Sequence, residues 1–333
     1  MIVIDRTSIT ILRDLAARGA PAWLCVDPME YHGPHLSPRN DQIIAEGLME
    51  RAHALLQERH PEWPLVFAGQ LGIGADTTPG PGSVDVPYRE VLRRTREAGR
   101  RLLDLGFRRM VFMTFHGSPF HNAAIWAAAE DLRGRGARVA TPMNVLTRKI
   151  MAPDPEEFEA VYEAVPDPSD RARLRARARE DIHSGFGETS LALHFAPDTV
   201  VDHLSVPPAP ALGSIAVWEA AARVADTFGR RELAKELRFV GMGMAWFGLR
   251  PFPGYTCEPA MANAEVGAIF AGLISAGLAS DVESVLVEGV RPSPPVMRWV
   301  ATLTFGGIYG RAHVPLRVCA HQVHPQESSH VEQ

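Results

Sequence analysis

The segment MEYHGPHLSPRND holds four side chains that can bind metals or move protons: Glu30, His32, His35 and Asp41. Glu30 and His32 are two residues apart, so in an extended segment both side chains point to the same side. Each residue also has an ordinary explanation, because Asp41 could be a helix N-cap and the histidines could be hydrogen-bonding loop residues. The segment therefore indicates a metal site only in combination with other residues.

Two later segments carry the same residue types. RRMVFMTFHGSPFHN places His116 directly after an apolar run, and DIHSGFGETS places His183 and Glu188 just before a short apolar stretch. Glu188 could instead stabilise a helix N-terminus, and His183 could be a hydrogen-bonded loop histidine. Together the three segments supply imidazoles and carboxylates, a set typical of sites for Zn²⁺, Mn²⁺ or Fe²⁺ rather than Ca²⁺ or a thiolate site.

Short apolar runs alternate with amphipathic stretches along the chain. Predicted strands lie at 22–26, 65–71, 109–115, 138–145 and 237–247. Predicted helices lie near 41–58, 87–105, 122–134, 188–195 and 215–236. The strands lack a clean polar alternation, which is typical of strands covered on both faces. The pattern predicts a three-layer α/β/α sandwich with a mostly parallel central sheet, in which the candidate ligands follow the carboxyl ends of strands.

Two segments differ in composition from the rest of the chain. Residues 153–181 are acidic, then proline-rich, then basic at helical spacing, which indicates a helical insertion that serves as a lid or an oligomer contact. The stretch after 284 contains RPSPP and ends in CAHQVHPQESSHVEQ, so we interpret 285–333 as a C-terminal extension and tail. The main domain is then 1–284.

Composition argues against several classes of protein. The 333 residues are 46% hydrophobic and carry a net charge of -5, so a basic surface for nucleic acid is not expected. The N-terminus lacks the pattern of a signal peptide, and no run of about 18 apolar residues predicts a membrane span. Cys25, Cys257 and Cys319 are odd in number and far apart, which argues against a disulfide framework. We expect a cytoplasmic protein.

The motifs around the candidate ligands resemble those of the creatininase (creatinine amidohydrolase) family. EYHGPHLSPRND is similar to E-x-H-G-P-H-L-P-x-x-x-D, TFHGSPFHN to N-G-H-G-x-N, HSGFGETS to H-A-G-x-x-E-T-S, and GYTCEPAMANAEVG to G-Y-x-G-x-P-x-x-A-x-x-E-x-G. The four motifs follow the family's order over roughly residues 20 to 280. Ser37 and Cys257 depart from the pattern, where the family usually has proline and glycine.

The resemblance implies a creatininase-like metallohydrolase domain over 1–284, with one or two divalent ions of zinc, manganese or iron. It assigns Glu30, Asp41 and His116 to one ion. His32 would bind the second ion, with Asp41 as the bridge between the two. Family members often form hexamers built from dimers, so a homo-oligomer, possibly a hexamer, is what the resemblance implies.

The same resemblance bears on the last ligand and the proton donor. Some members use a glutamate two residues after the histidine of the strand-end turn, but this chain has Ser118 there, so Glu188 is the expected ligand. The turn HGSPFHN is longer than the family's, which leaves His121 open as a substitute ligand or a pocket residue. His183 resembles the family's proton-shuttling histidine and is expected to act as general acid beside Glu188 in the catalytic site.

These features predict a metal-dependent amidohydrolase that hydrolyses the C–N bond of an amide, a cyclic amide or a short peptide through a metal-bound hydroxide. Creatinine is not the expected substrate, because a tryptophan expected upstream of His183 is absent from ARARED. Trp246, Phe247 and Arg250 are candidates for an aromatic wall and an anion contact, or for core positions. Two alternatives stay open: a non-hydrolytic iron enzyme with the same side chains, and an inactive metal-binding homologue that serves as an assembly subunit.

Overall fold

A central parallel sheet organises the chain. The computed structural model describes residues 1–305 except 152, 154 and 155. The strands are β1 (Ile2–Val3), β2 (Ala22–Val26), β3 (Val66–Leu71), β4 (Arg109–Met113) and β5 (Arg138–Ala140). They form one sheet in the order β1-β3-β2-β4-β5, and each neighbouring pair is parallel. Parallel neighbours require crossover connections, which are largely helical in this chain.

Helices connect and cover the strands. In the described residues they are α1 (Ile9–Ala17), α2 (Asn40–Arg59), α3 (Tyr88–Asp104), α4 (Pro119–Arg133), α5 (Met143–Met151), α6 (Glu159–Glu163), α7 (Pro168–Arg177), α8 (Phe186–Phe195), α9 (Ala216–Thr227), α10 (Arg231–Phe247), α11 (Ala264–Glu283) and α12 (Arg298–Leu303). Their ends follow ordinary capping chemistry: for example, Asn263 caps α11 by accepting a hydrogen bond of 2.9 Å from the amide of Val266.

Strand β2 is covered by helices on both faces. All five of its residues are buried. Leu24 and Val26 belong to the apolar core formed with α1, α3 and α4, whereas Trp23 and Cys25 belong to the core formed with α2, α5 and α11. Successive side chains of a strand point to opposite faces, so one apolar run supplies both cores. The prediction of a three-layer α/β/α sandwich with a parallel sheet is confirmed.

The predicted strand at 237–247 is wrong, because this segment belongs to α10. Its valine, aromatic and glycine content is unusual for a helix, which made it resemble a strand. Helix α10 instead pairs with α9 as a hairpin. A Cβ atom at Gly241 would lie 2.8 Å from Cβ of Trp218, so glycine permits the two helices to approach. The predicted helix at 215–236 is divided at Gly229, whose φ of +69° turns the chain between α9 and α10.

The other predicted elements exist, with shifts at their ends. The strand predicted at 138–145 ends at Ala140, and α5 begins at Met143. The helix predicted near 122–134 begins earlier, at Pro119. Gly106 follows α3 with φ of +101°, as expected of a glycine that ends a helix.

Residues 153–181 contain the short helices α6 and α7, which pack against the start of α8. Their core includes Phe158, Tyr162, Leu174 and Phe186. The predicted C-terminal extension at 285–333 is described as far as residue 305. This part contains most of a π-helical turn, Ser284–Glu288, and helix α12. Residues 306–333, with Cys319, lie outside the described residues.

The helical stretch Ala264–Glu288 is long and apolar enough by composition to cross a membrane, with a mean hydropathy of 1.5 over its most apolar window. The stretch contains no continuous run of about 18 apolar residues, because glycine and serine residues and the acidic residues Glu265, Asp281 and Glu283 interrupt it. In the structure Ile274, Leu278 and Val282 are part of the core shared with α2. A core helix of a globular protein has the same composition.

Candidate metal centre

The loop between β2 and α2 and the first turn of α2 together deliver three candidate ligands to the carboxyl edge of the sheet. Glu30 and His32 lie within this loop, and Gly33 turns it with φ of +71°, a conformation that favours glycine. Asp41 is the second residue of α2, whose N-cap is Arg39. The N-cap explanation of Asp41 is therefore wrong, and its carboxylate instead faces His32.

His116 and Glu188 reach the same place from two other elements. His116 follows β4, the strand that neighbours β2 in the sheet. Glu188 lies in the first turn of α8. His116 is 5% exposed and the Glu188 side chain is 11% exposed, so both lie inside the protein rather than on its surface. The structure thus brings together all five candidate ligands named from sequence.

The five side chains form two groups that share Asp41. In the first group, His116 Nδ1 lies 2.8 Å from Glu30 Oε2 and 3.5 Å from Asp41 Oδ2. In the second group, His32 Nε2 lies 3.2 Å from Asp41 Oδ1 and 3.0 Å from Glu188 Oε1. Each oxygen of Asp41 belongs to a different group. The donor atoms of each group lie within 4.8 Å of one another, so each group could hold one ion.

Backbone carbonyl groups fix which nitrogen of each histidine faces the site. His32 Nδ1 donates to the carbonyl of Glu30 at 2.9 Å, and His116 Nε2 donates to the carbonyl of Ala75 at 3.2 Å. A carbonyl oxygen can only accept, so the proton of each neutral ring lies on the nitrogen that faces away from the carboxylates. Nε2 of His32 and Nδ1 of His116 then have lone pairs for a metal, as in well-supported metal sites.

The carboxylates are also held by outer hydrogen bonds. Glu30 Oε1 accepts from the amide of Thr78 at 2.5 Å. Glu188 Oε1 accepts from Asn40 Nδ2 at 2.7 Å, and Glu188 Oε2 accepts from the amide of Ser184 at 2.6 Å. These bonds orient the carboxylates before any ligand binds, which lowers the entropic cost of binding.

The charge and hydrogen bonding of this cluster fit a divalent cation. Glu30 Oε2 and Asp41 Oδ2 are buried, and among the described residues their nearest possible donor is His116 Nδ1, at 2.8 and 3.5 Å. Among the described residues, no lysine or arginine forms an ion pair with any of the three carboxylates, so histidine protons must balance their charge. Burial opposes the charge of His116, but the attraction of Glu30 outweighs it and raises the pKa of His116 to about 10. A divalent ion would replace such protons on binding.

His183 lies beside both groups. Its ring stacks on the ring of His32, with centroids 4.5 Å apart and planes 26° apart. Its Nε2 donates to the carbonyl of Tyr31 at 3.0 Å. A donor atom of His183 also lies within 4.8 Å of those of Glu30 and His32. Burial, followed by the charge of His32, lowers the pKa of His183. The ring therefore reaches the site from a separate loop.

The remaining polar residues named from sequence have other partners. His121 Nε2 lies 2.9 Å from the carbonyl of Val26, and His121 belongs to none of the three donor groups found among the described residues. Ser118 caps α4 and donates to Asp76 at 3.2 Å. His35 Nε2 lies 2.9 Å from Thr189 Oγ1, so His35 joins the first loop to α8.

Trp246, a candidate for an aromatic wall or a core position, lies in a buried aromatic cluster, and Arg250, a candidate anion contact, bonds to nearby backbone. Arg250 is exposed and follows α10, and its guanidinium donates to the carbonyls of Phe247, the last residue of that helix, and Leu249, at 2.8 and 2.6 Å. Trp246 is only 4% exposed and packs behind His183.

Sequence reasoning missed several residues that hold the site in place. Thr78 and Ala75 contribute through the backbone, so their side chains gave no signal. Asp27 did have one, since it is a charged residue directly after the buried run AWLCV. Its Oδ1 accepts from Thr114 Oγ1 at 2.9 Å and from the amide of Phe115 at 2.7 Å. It therefore ties the end of β2 to the residues that lead into His116, and burial raises its pKa to about 6.

Comparisons with known proteins point in the same direction. A family model described as creatinine amidohydrolase (creatininase) matches residues 6–282. A solved manganese form of creatininase is 19% identical, with a TM-score of 0.58 over 86% of this chain and 99% of that chain. A mutant creatininase of Zn–Zn type is 20% identical, with a TM-score of 0.55 over 86% and 98%. A mutant creatininase complexed with creatine is 19% identical, with a TM-score of 0.56 over 86% and 99%.

No match is found among the curated proteins. At these identities the structural likeness shows a shared fold, while the family model spans well over half of the sequence. The chain therefore belongs to the creatininase (creatinine amidohydrolase) family.

Proposed function

We propose that this protein is a metal-dependent hydrolase that cleaves the C–N bond of an amide, a cyclic amide or a short peptide. The observation that carries the proposal is the division of five side chains, four of them buried and Glu188 partly exposed, into two donor groups joined by the two oxygens of Asp41. Two adjacent candidate cation sites beside His183 suit attack on a carbonyl carbon and protonation of the departing nitrogen.

Glu30, Asp41 and His116 would hold one ion, and His32, Asp41 and Glu188 the other. When bound, such ions supply an acidified water and positive charge for the oxygen of the carbonyl under attack. Mixed imidazole and carboxylate donors suit zinc, manganese or iron. The manganese and Zn–Zn forms of creatininase that share the fold are consistent with this choice.

His183 would act as the general acid. Its Nε2 already donates to the Tyr31 carbonyl, so Nδ1 is the nitrogen that takes up a proton and passes it to the departing amine. Glu30 and Glu188 would be weak bases in this reaction, because both are held as carboxylates by neighbouring positive charge. Glu188 would instead hold a cation and fix the start of α8 through the Ser184 amide.

The substrate class is a small molecule or a short peptide. A related creatininase structure contains creatine, but we propose a substrate other than creatinine, because this chain lacks the tryptophan expected upstream of His183. We further propose a cytoplasmic homo-oligomer.

The test begins with protein purified without added metal and analysed for metal content by mass spectrometry. The same preparation is assayed against formamides, cyclic amides and dipeptides for amine release, with oxygen consumption recorded in parallel. Amine release that requires metal and consumes no oxygen would support the proposal. Turnover that consumes oxygen would favour the iron enzyme, and tightly bound metal without any turnover would favour the assembly subunit.

A further inference from the structure

An aromatic cluster lies behind the candidate general acid. The ring of His183, which stacks on His32, also contacts Trp246, with centroids 5.2 Å apart and planes 47° apart. Trp246 comes from the last turn of α10, which is outside the four sequence motifs around the site. A helix distant in sequence thus supplies a large side chain to the one histidine that the proposed reaction uses for proton transfer.

Trp246 is itself held firmly. Its indole Nε1 donates to the carbonyl of Tyr255 at 3.1 Å. Its ring lies 4.8 Å from that of Phe247 and 5.0 Å from that of Phe252, which is fully buried. An indole fixed by a hydrogen bond at its edge and by two aromatic neighbours has little freedom to move.

Thr256 holds the backbone of His183, but among the described residues the imidazole of His183 forms a single hydrogen bond, from Nε2 to the carbonyl of Tyr31. That hydrogen bond restrains rotation about the Cα–Cβ and Cβ–Cγ bonds at only one edge of the ring, so contacts with the ring faces also set the direction of Nδ1. His32 supplies one such contact. The position of His32 is fixed by its own bond to the Glu30 carbonyl.

We propose that Trp246 is a positioning residue, which holds the ring of His183 in the orientation that points Nδ1 at the departing nitrogen. This proposal rests on the general-acid function proposed above. Trp246 acts through His183 and not as a wall for substrate, because only 4% of it is exposed. Loss of the indole should therefore change the rate of the chemical step and leave substrate binding nearly unaltered.

The first experiment is a double-mutant cycle with Trp246→Leu and His183→Ala. Trp246→Leu should lower kcat roughly 10- to 100-fold, the range expected for a misdirected catalytic group, with KM changed less than about twofold. Added to His183→Ala, the same substitution should cause no further loss of kcat. Equal losses in both backgrounds would mean that Trp246 supports the fold or the substrate directly, and would overturn the proposal.

The second experiment needs no substrate. Diethyl pyrocarbonate modifies neutral histidine nitrogens, and peptide mass spectrometry gives a rate for each histidine in the full-length protein. In Trp246→Leu the labelling rate of His183 should rise roughly 2- to 10-fold, because the loss of one aromatic contact makes the ring more mobile and more accessible to the reagent. An unchanged rate at His183 in folded protein would also overturn the proposal.

Trp63 is a matched control for the labelling. It is 3% exposed, and it stacks on His60 with centroids 4.3 Å apart, at the opposite end of α2 from Asp41. Trp63→Leu should raise labelling of His60 and leave His183 unchanged, whereas Trp246→Leu should do the reverse. A rise at both histidines in either variant would indicate general loosening of the protein and would count against a local function for Trp246.

A milder variant covers the case in which Trp246→Leu fails to fold. Trp246→Phe keeps a ring against His183 but loses the hydrogen bond to the Tyr255 carbonyl, so it should lower kcat and raise His183 labelling by smaller factors in the same directions. Folded Trp246→Phe that matches the wild type in both measurements would overturn the proposal. If the wild-type protein turns over no amide, the proposed function fails, and the labelling results still decide whether Trp246 holds His183.

Discussion

The position of Asp41 in both donor groups leads to a quantitative prediction. Its two oxygens face His32 at 3.2 Å and His116 at 3.5 Å, in different donor groups. Replacement by asparagine removes the negative charge and turns one of the two oxygens into an NH₂ donor, which repels a cation. Asp41→Asn should therefore lose both ions, whereas His32→Ala should lose only the second ion.

The expected loss of ions can be expressed as a change in the midpoint of thermal unfolding, Tm. An ion present at 1,000 times its Kd stabilises a folded protein by about 4.1 kcal/mol. The unfolding entropy of a chain of 333 residues is about 0.7 kcal/mol per kelvin, so each ion should raise Tm by about 6 °C. Metal addition should thus raise Tm by about 12 °C in the wild type, about 6 °C in His32→Ala and close to 0 °C in Asp41→Asn.

The assay combines differential scanning fluorimetry, with and without metal, and metal content per chain. Asp27→Asn is the matched control, because Asp27 is a buried aspartate at the same end of the sheet but belongs to neither donor group. It should retain both ions. If Asp41→Asn kept one ion per chain and half of the metal-dependent shift, Asp41 would not be the bridge, and the geometry would have to be explained by a single-ion site.

Three further predictions concern the other ligand, the proton donor and the packing of α11. Glu188→Gln should lower metal content, measured by mass spectrometry, while Ser118→Ala should not; the reverse would reassign the second group. His183→Ala should keep its metal and fold but lose roughly 10²- to 10⁴-fold in rate, with a smaller loss for amides whose leaving group is a weak base. Gly267→Ala should lower the free energy of unfolding in urea by about 1–3 kcal/mol, since its Cβ would collide with the backbone of α8, whereas Gly272→Ala on the same helix should be tolerated.

The layers of the fold and the location of the site could be predicted because both depend on side-chain pattern. The run at β2 is apolar throughout and supplies two cores, as a central parallel strand must. Glu30 and His116 each follow such a run, and the carboxyl ends of neighbouring parallel strands meet at one edge of the sheet. The assignment of Glu188 as a ligand required the family resemblance as well, because no residue pattern near α8 indicates that the first turn of this helix faces the same edge of the sheet.

The features that escaped prediction depend on backbone and on contacts between distant elements. The carbonyl of Ala75 fixes the ring of His116, and the amide of Thr78 fixes Glu30, yet almost any residue type could supply a carbonyl or an amide. Composition could not identify α10 as a helix either, because a glycine such as Gly241 is unfavourable inside a helix. Its presence is explained only by the close approach of Trp218 on α9, which the sequence does not reveal.

The predicted strand at 237–247 also concealed the contact between Trp246 and His183 on which the proposed positioning rests. In a strand, neighbouring side chains such as Trp246 and Phe247 would point to opposite faces of a sheet. In a helix that ends at Phe247, both rings join Phe252 in one cluster, and that cluster places the indole against His183. Motif matching assigns chemistry to His183 from the residues beside it in sequence. The rigidity that such chemistry requires comes from an element that only the folded chain brings to the site.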